Sequence, residues 1–228
     1  DELSLHGVQM NTANLVHEAR IKGKVGLLLV QSRGVDLNSK TIRVNQAQLK
    51  DANISVELSD TVPPDTTKTP IYWKIKVDKL QIEHSKALLR TPRDSMTVLV
   101  DLPKLDAKNG YFDLYKNLYR LETLNWQNGS LNYDQTYKPR TDGLDPNHIH
   151  LTELHLGIDS FYFCQPELKM NLRVCAFKEK SGVRVNHLSG HVGLDSTRIA
   201  LPNLELRTPE SSLTAKFNMD MNAFDEVN

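Results

Sequence analysis

The chain has few cysteines, no excess charge of either sign and no long hydrophobic run, and each shortage excludes something. Lys plus Arg number 28 and Asp plus Glu number 28 in 228 residues. That leaves no basic surplus to neutralise phosphates, so nucleic acid is not an expected partner. The longest aliphatic stretch, residues 27–30, is strand-sized, far short of the ~20 apolar residues a membrane-spanning helix needs. Any membrane anchor would lie outside this sequence. It begins at Asp1 with neither Met nor signal segment, which reads as a processed chain or an internal piece of a longer one. The two cysteines are Cys164 and Cys175. If residues 165–167 turn a hairpin, Cys164 faces roughly Leu168 and Cys175 lies several pairs along, so the two do not bond within that hairpin. Also missing are a G-x-S-x-G elbow, a Walker loop and a G-x-G-x-x-G turn. No enzyme activity, cofactor or nucleotide is therefore expected.

What is present is alternation. Ile54, Val56, Leu58; Leu168, Met170, Leu172, Val174, Ala176; and Leu213, Ala215, Phe217, Met219, Met221 each place an apolar face against a polar one at the period of a β-strand. Helical spacing is rare; residues 111–121, with Leu114, Leu118 and Leu121, are the one stretch that suggests a short helix. A more specific pattern recurs: apolar, any, apolar, four mostly polar residues, apolar, any, apolar. It starts at Leu28, Ala47, Leu80, Leu105, Leu124, Leu154 and Val192. The copies at Leu105 and Leu124 align without a gap, Asn109-Gly110 over Asn128-Gly129, a dipeptide favoured in tight turns. Read as antiparallel hairpins with four-residue loops, the boxes put all four apolar side chains on one face of each ribbon. The uneven spacing between boxes excludes a fixed-period propeller or leucine-rich solenoid.

Two polar, Pro-bearing excursions interrupt the pattern, near residues 61–70 and 136–148, and read as loop insertions in one elongated segment spanning residues 1–228. Among possible metal ligands only His148 and His150 share a strand face; Glu153 and His155 have the other parity, so no metal site is assigned. Asn53 and Asn128 begin N-x-S triplets. Tyr72, Trp73, Trp126, Tyr133, Phe161, Tyr162 and Phe163 are either packing residues or a sugar-stacking surface.

The succession of amphipathic strands resembles the periplasmic repeats of the AsmA-like superfamily, specifically the TamB-type translocation and assembly proteins of Bacteroidetes. The likeness is carried by SRGVDLNSKTIRVNQAQLKDANISVEL at residues 32–58, YWKIKVDKLQIEHSKALL at 72–89 and FKEKSGVRVNHLSGHVGLDSTRIALPNLELRTPESSL at 177–213. The resemblance implies a curled, U-shaped, taco-like sheet with an apolar inner face, in a parent protein anchored in the inner membrane and extended through the periplasm. It implies a role in envelope biogenesis: passage of phospholipid between the two membranes, or assembly of outer-membrane proteins. The implied partners are phospholipid acyl chains, neighbouring segments of the same long chain and an outer-membrane barrel protein. The residues expected to line such a groove are Ile54, Val56, Leu58, Leu168, Met170, Leu172, Val174, Leu213, Phe217, Met219 and Met221. The alternatives are a closed β-sandwich for the fold and an extracellular carbohydrate-binding β module for the function.

Overall fold

The structure is a computed structural model and describes residues 1–14, 19–58, 71–91 and 95–220. The alternating stretches become eleven strands: β1 (Glu2–Asn14), β2 (Ala19–Asp36), β3 (Thr41–Leu58), β4 (Lys74–Thr91), β5 (Met96–Asp113), β6 (Leu118–Gln135), β7 (His148–Cys164), β8 (Glu167–Glu179), β9 (Arg184–Leu194), β10 (Arg198–Arg207) and β11 (Ser212–Asp220). They form one sheet in strict chain order. Every neighbouring pair is antiparallel except β3 and β4, which run parallel, so the expected run of hairpins is broken once. No helix occurs among the described residues. Residues 111–121 end β5, turn over residues 114–117 and begin β6. The insertion near residues 61–70 lies outside the described residues, and that near 136–148 is the connection leading into β7.

β1 and β11 do not pair, so the sheet is open. All substantial contacts between elements join sheet neighbours. Among the described residues no second sheet covers either face, and the closed sandwich is not what this chain builds. Burial agrees: fully buried apolar side chains are few, Val25, Val44, Ala52, Ala107, Trp126, Leu154, Leu172 and Val185. Most other strand residues are only half covered.

The strands are long. β2 to β6 have 18 residues each, and the boxes turn out to lie along them. The only box that is a hairpin is the one at Val192, where residues 195–198 turn between β9 and β10 and Leu194 pairs with Ile199. Asp195 fixes that turn by accepting the N–H of Thr197 at 2.8 Å and of Arg198 at 3.0 Å. The boxes at Ala47, Leu80, Leu105 and Leu124 instead sit inside β3, β4, β5 and β6. In each, the fifth residue takes a left-handed backbone: Asp51 (φ 52), His84 (φ 48), Asn109 (φ 52) and Asn128 (φ 55). Asn109-Gly110 and Asn128-Gly129 are therefore not hairpin turns. Five steps separate the two apolar pairs of a box, which in a regular strand would put them on opposite faces. One left-handed residue breaks the alternation as a bulge does and returns both pairs to the same face.

Three of these breaks, at Asp51, His84 and Asn128, line up across the sheet, while Asn109 belongs to a second line of skipped pairs, opposite Asp78 and Glu122. Asp51 and His84 lie side by side between the pairs Lys50↔Glu83 and Asn53↔Lys86. Pro103 falls opposite His84 on one side and Asn128 on the other, where the ladder to β4 skips one pair and the ladder to β6 skips two. Proline has no N–H to give, so an interrupted ladder is where a central strand tolerates it. Ser85, only 2% exposed, closes part of the gap: its Oγ accepts the Ala52 N–H at 3.1 Å and donates to the Glu83 carbonyl at 2.8 Å.

Candidate functional site

Because cross-strand partners share a face, the register can be followed from edge to edge. One row runs through all eleven strands: Leu5, Leu28, Leu49, Ile82, Leu105, Trp126, Leu156, Cys175, Leu188, Leu206, Leu213. No polar residue interrupts it. At roughly 4.8 Å per strand it is about 48 Å long. On one side of it runs Leu3, Val30, Ala47, Leu80, Ala107, Leu124, Ile158, Leu172. Farther out on that side runs Val35, Ile42, Ile75, Phe112, Tyr119, Phe163, Leu168, Leu194, Ile199, Met219. Toward the opposite end lies Ile21, Val56, Leu89, Val98, Tyr133, Ile149. Intervening positions belong to polar rows such as Gln48, Gln81, Asp106, Asn125.

The residues singled out from sequence fall onto this pattern unevenly. Ile54 pairs with Gly23 and Ala87, Val56 with Ile21 and Leu89, and Leu58 with Ala19. Leu168, Met170 and Leu172 pair with Phe163, Phe161 and Ile158, and Leu213, Phe217 and Met219 with Leu206, Leu201 and Ile199. Val174 departs. The register shifts after Leu172, Cys175 takes the next place in the longest row opposite Leu156, and Val174 pairs with Gly157 in the polar row of Asn125. The alternation through residues 168–176 looks continuous in sequence because the extra residue is itself apolar. Met221 lies outside the described residues. Leu58, Leu213 and Phe217 are exposed, whereas Leu172 is buried.

Most of the longest row was not singled out beforehand. Leu28, Leu49, Ile82, Leu105, Trp126 and Leu156 are first or third residues of the boxes, and that shared position was the available signal. Trp126 is buried and donates its indole N–H to the Asp101 carbonyl at 3.2 Å. Gly129 makes room for it, since a Cβ there would meet the indole nitrogen at 2.0 Å. The overlap of residues three apart also shows the change of side at Asn128.

The aromatics do not assemble into one sugar-stacking surface. Tyr133, Phe161 and Phe163 are in apolar rows, while Tyr162 lies on the other face beneath the Arg120 guanidinium at 5.3 Å. Tyr72 packs against Tyr115 with the rings tilted by 31° and their centres 4.6 Å apart. His148 and His150 have separate surroundings. The His148 ring is nearly covered, 4% exposed, with Nδ1 at 2.5 Å from Asp134 Oδ1 and Nε2 at 2.9 Å from the Lys138 carbonyl. The Asp134 carboxylate chiefly holds its pKa above the ordinary imidazole value. His150 takes part through its backbone N–H, donated to Glu179 at 3.2 Å. Among the described residues no group of three or more His, Cys, Asp or Glu is placed to hold a metal. Cys164 and Cys175 are free thiols, and burial raises the pKa of Cys175.

No protein-family model matches this chain, and no curated protein matches it.

Proposed function

We propose that this chain is a non-enzymatic segment of a TamB-type, AsmA-like envelope protein, and that the apolar rows receive phospholipid acyl chains in transit through the periplasm between inner and outer membranes. On this reading the sheet curls so that these rows become the inner face of a trough, and the parent protein is held in the inner membrane. The observation that carries the reading is the eleven-residue apolar row on an open sheet with no second layer among the described residues. Apolar area left in water costs roughly 25 cal/mol per Å², so a single amphipathic sheet needs something to lie on its apolar side. Acyl chains meet that need without any specific residue. A row of eight Leu, one Ile, one Trp and one Cys offers them a continuous apolar path rather than a pocket. Neighbouring segments of the parent chain extending the open edges, and an outer-membrane barrel protein at the far end, complete the reading.

The test is uptake of fluorescently labelled phosphatidylethanolamine from vesicles. Wild type is expected to take it up, as is a variant altered on the other face, Asn125→Asp. Leu156→Asp combined with Leu188→Asp is expected to lose roughly tenfold or more in capture while far-UV circular dichroism still reports a β-sheet. A folded double variant that captures lipid as wild type does overturns the reading.

A further inference from the structure

We infer that the face opposite the apolar rows carries a binding strip for a linear acidic polysaccharide. This goes beyond the lipid reading and does not rest on it. The register joins Arg43, Lys76, Tyr111, Arg120, Tyr162 and Lys169 into one row across β3 to β8. Each is flanked within its strand by members of the apolar rows, so alternation puts all six on the other side. The row is about 24 Å long at roughly 4.8 Å per strand. Its four cations are exposed and both tyrosines are half-buried. Lys76 Nζ lies 5.9 Å from the Tyr111 ring centre and the Arg120 guanidinium 5.3 Å from that of Tyr162. In an adjacent row Lys79 pairs with Lys108, both exposed.

This row carries four cations and no carboxylate, although the chain as a whole is neutral. The acids nearby are already engaged: Asp78 by Arg33 at 3.4 Å, Asp159 by Arg173 at 3.1 Å and Glu167 by Lys169 at 2.5 Å, with Glu122 accepting from Asn109. Among the described residues, no carboxylate lies within ion-pair distance of Arg43, Lys76, Lys79, Lys108 or Arg120. Like charges directly opposite one another on neighbouring strands destabilise a sheet. Arg43 beside Lys76 and Lys79 beside Lys108 carry that cost, and an anionic ligand relieves it.

The shape of the strip selects the ligand. A tyrosine and a cation recur every second strand, Tyr111 with Arg120 and then Tyr162 with Lys169, which Glu167 shares. The repeat is roughly 9.6 Å, the order of one disaccharide. Each unit of such a polymer can set an acid group on a cation and a sugar hydroxyl on a tyrosine hydroxyl. A membrane surface would be met by a plane of charge rather than a narrow strip with one flanking lysine pair. Single-stranded nucleic acid stacks its bases on open ring faces, and here cations cover the rings. A depression of about 670 Å³, lined by Arg120, Tyr162, Lys169 and Glu122 among others, widens the strip at its β6–β8 end.

The test is calorimetric titration of the chain with oligogalacturonate, with dextran, phosphatidylglycerol vesicles and oligothymidine as comparison probes. Wild type is expected to bind oligogalacturonate, more weakly as salt rises, and not dextran. Lys76→Glu with Arg120→Glu is expected to weaken binding roughly tenfold or more. The milder pair Lys76→Gln with Arg120→Gln should weaken it in the same direction with an unchanged urea midpoint, which separates loss of the strip from loss of the fold. Lys24→Glu with Lys216→Glu, exposed cations elsewhere on the sheet, should leave affinity unaltered. The inference fails if oligogalacturonate does not bind at low salt or if the two charge-reversed pairs lose affinity equally. Preference for vesicles or for oligothymidine over oligogalacturonate also overturns it.

Discussion

At the scale of single residues, Gly129 and Trp126 show how much one missing Cβ decides. Asn128 turns left-handed, Gly129 stays bare, and the indole lies across it. Gly129→Ala drives a methyl group into the ring and is expected to cost about 1–3 kcal/mol, measured by urea unfolding followed through tryptophan fluorescence; an unchanged midpoint contradicts the packing described. His148 stands between two acceptors, the Asp134 carboxylate of β6 and the Lys138 carbonyl of the following connection, with Arg140 on Asp134 at 2.8 Å and Asp145 near by. Only the imidazolium has a proton for each acceptor. Its folded pKa is raised, so its stabilisation is complete below the unfolded value of ~6.5 and is lost as pH rises through the folded value. Urea midpoints measured between about pH 5 and pH 9 should fall across that window in wild type, and the His148→Asn variant should lack that part of the slope. The contact between His148 and Asp134 was not readable from sequence, in which His148 shares a strand face with His150 and is assigned no metal; its partners come from β6 and a polar connection.

Among the elements, the bulge lines are the feature the sequence displayed without revealing what it was. A four-residue spacer between apolar pairs fits a hairpin loop and fits a left-handed break within a strand. Both put the four apolar residues on one face, and Asn-Gly suits both because Asn tolerates a left-handed backbone. The choice is made by the neighbouring strand, as at Pro103, which occupies the skipped positions opposite His84 and Asn128. All-β character was legible from local alternation, whereas the parallel pairing of β3 and β4 depends on long-range register. Ser85 is where this level is most exposed to test. Ser85→Ala leaves the Ala52 N–H buried without its acceptor, at an expected cost of about 1–3 kcal/mol, read from the urea midpoint. It should also speed exchange of the Ala52 amide; slow exchange in the variant would show that Ser85 does not bridge the two strands.

For the whole molecule, order along the chain equals order across the sheet, so the longest apolar row is assembled strand by strand and runs from one open edge to the other. The apolar residues of each strand were legible; their alignment into one uninterrupted row was not, because Val174 and Cys175 exchange roles at a register shift that only the neighbouring strands reveal. The most direct measurement is a photocrosslinking scan, with a benzophenone amino acid placed in turn at Leu49, Leu105, Leu156 and Leu188 of the longest row and at Gln81, Asp106 and Asn125 of a polar row, in the presence of radiolabelled phospholipid. Adducts are expected at all four apolar-row positions and at none of the polar-row positions. Equal labelling of both sets, or labelling confined to the polar row, would contradict an acyl-chain path along this face.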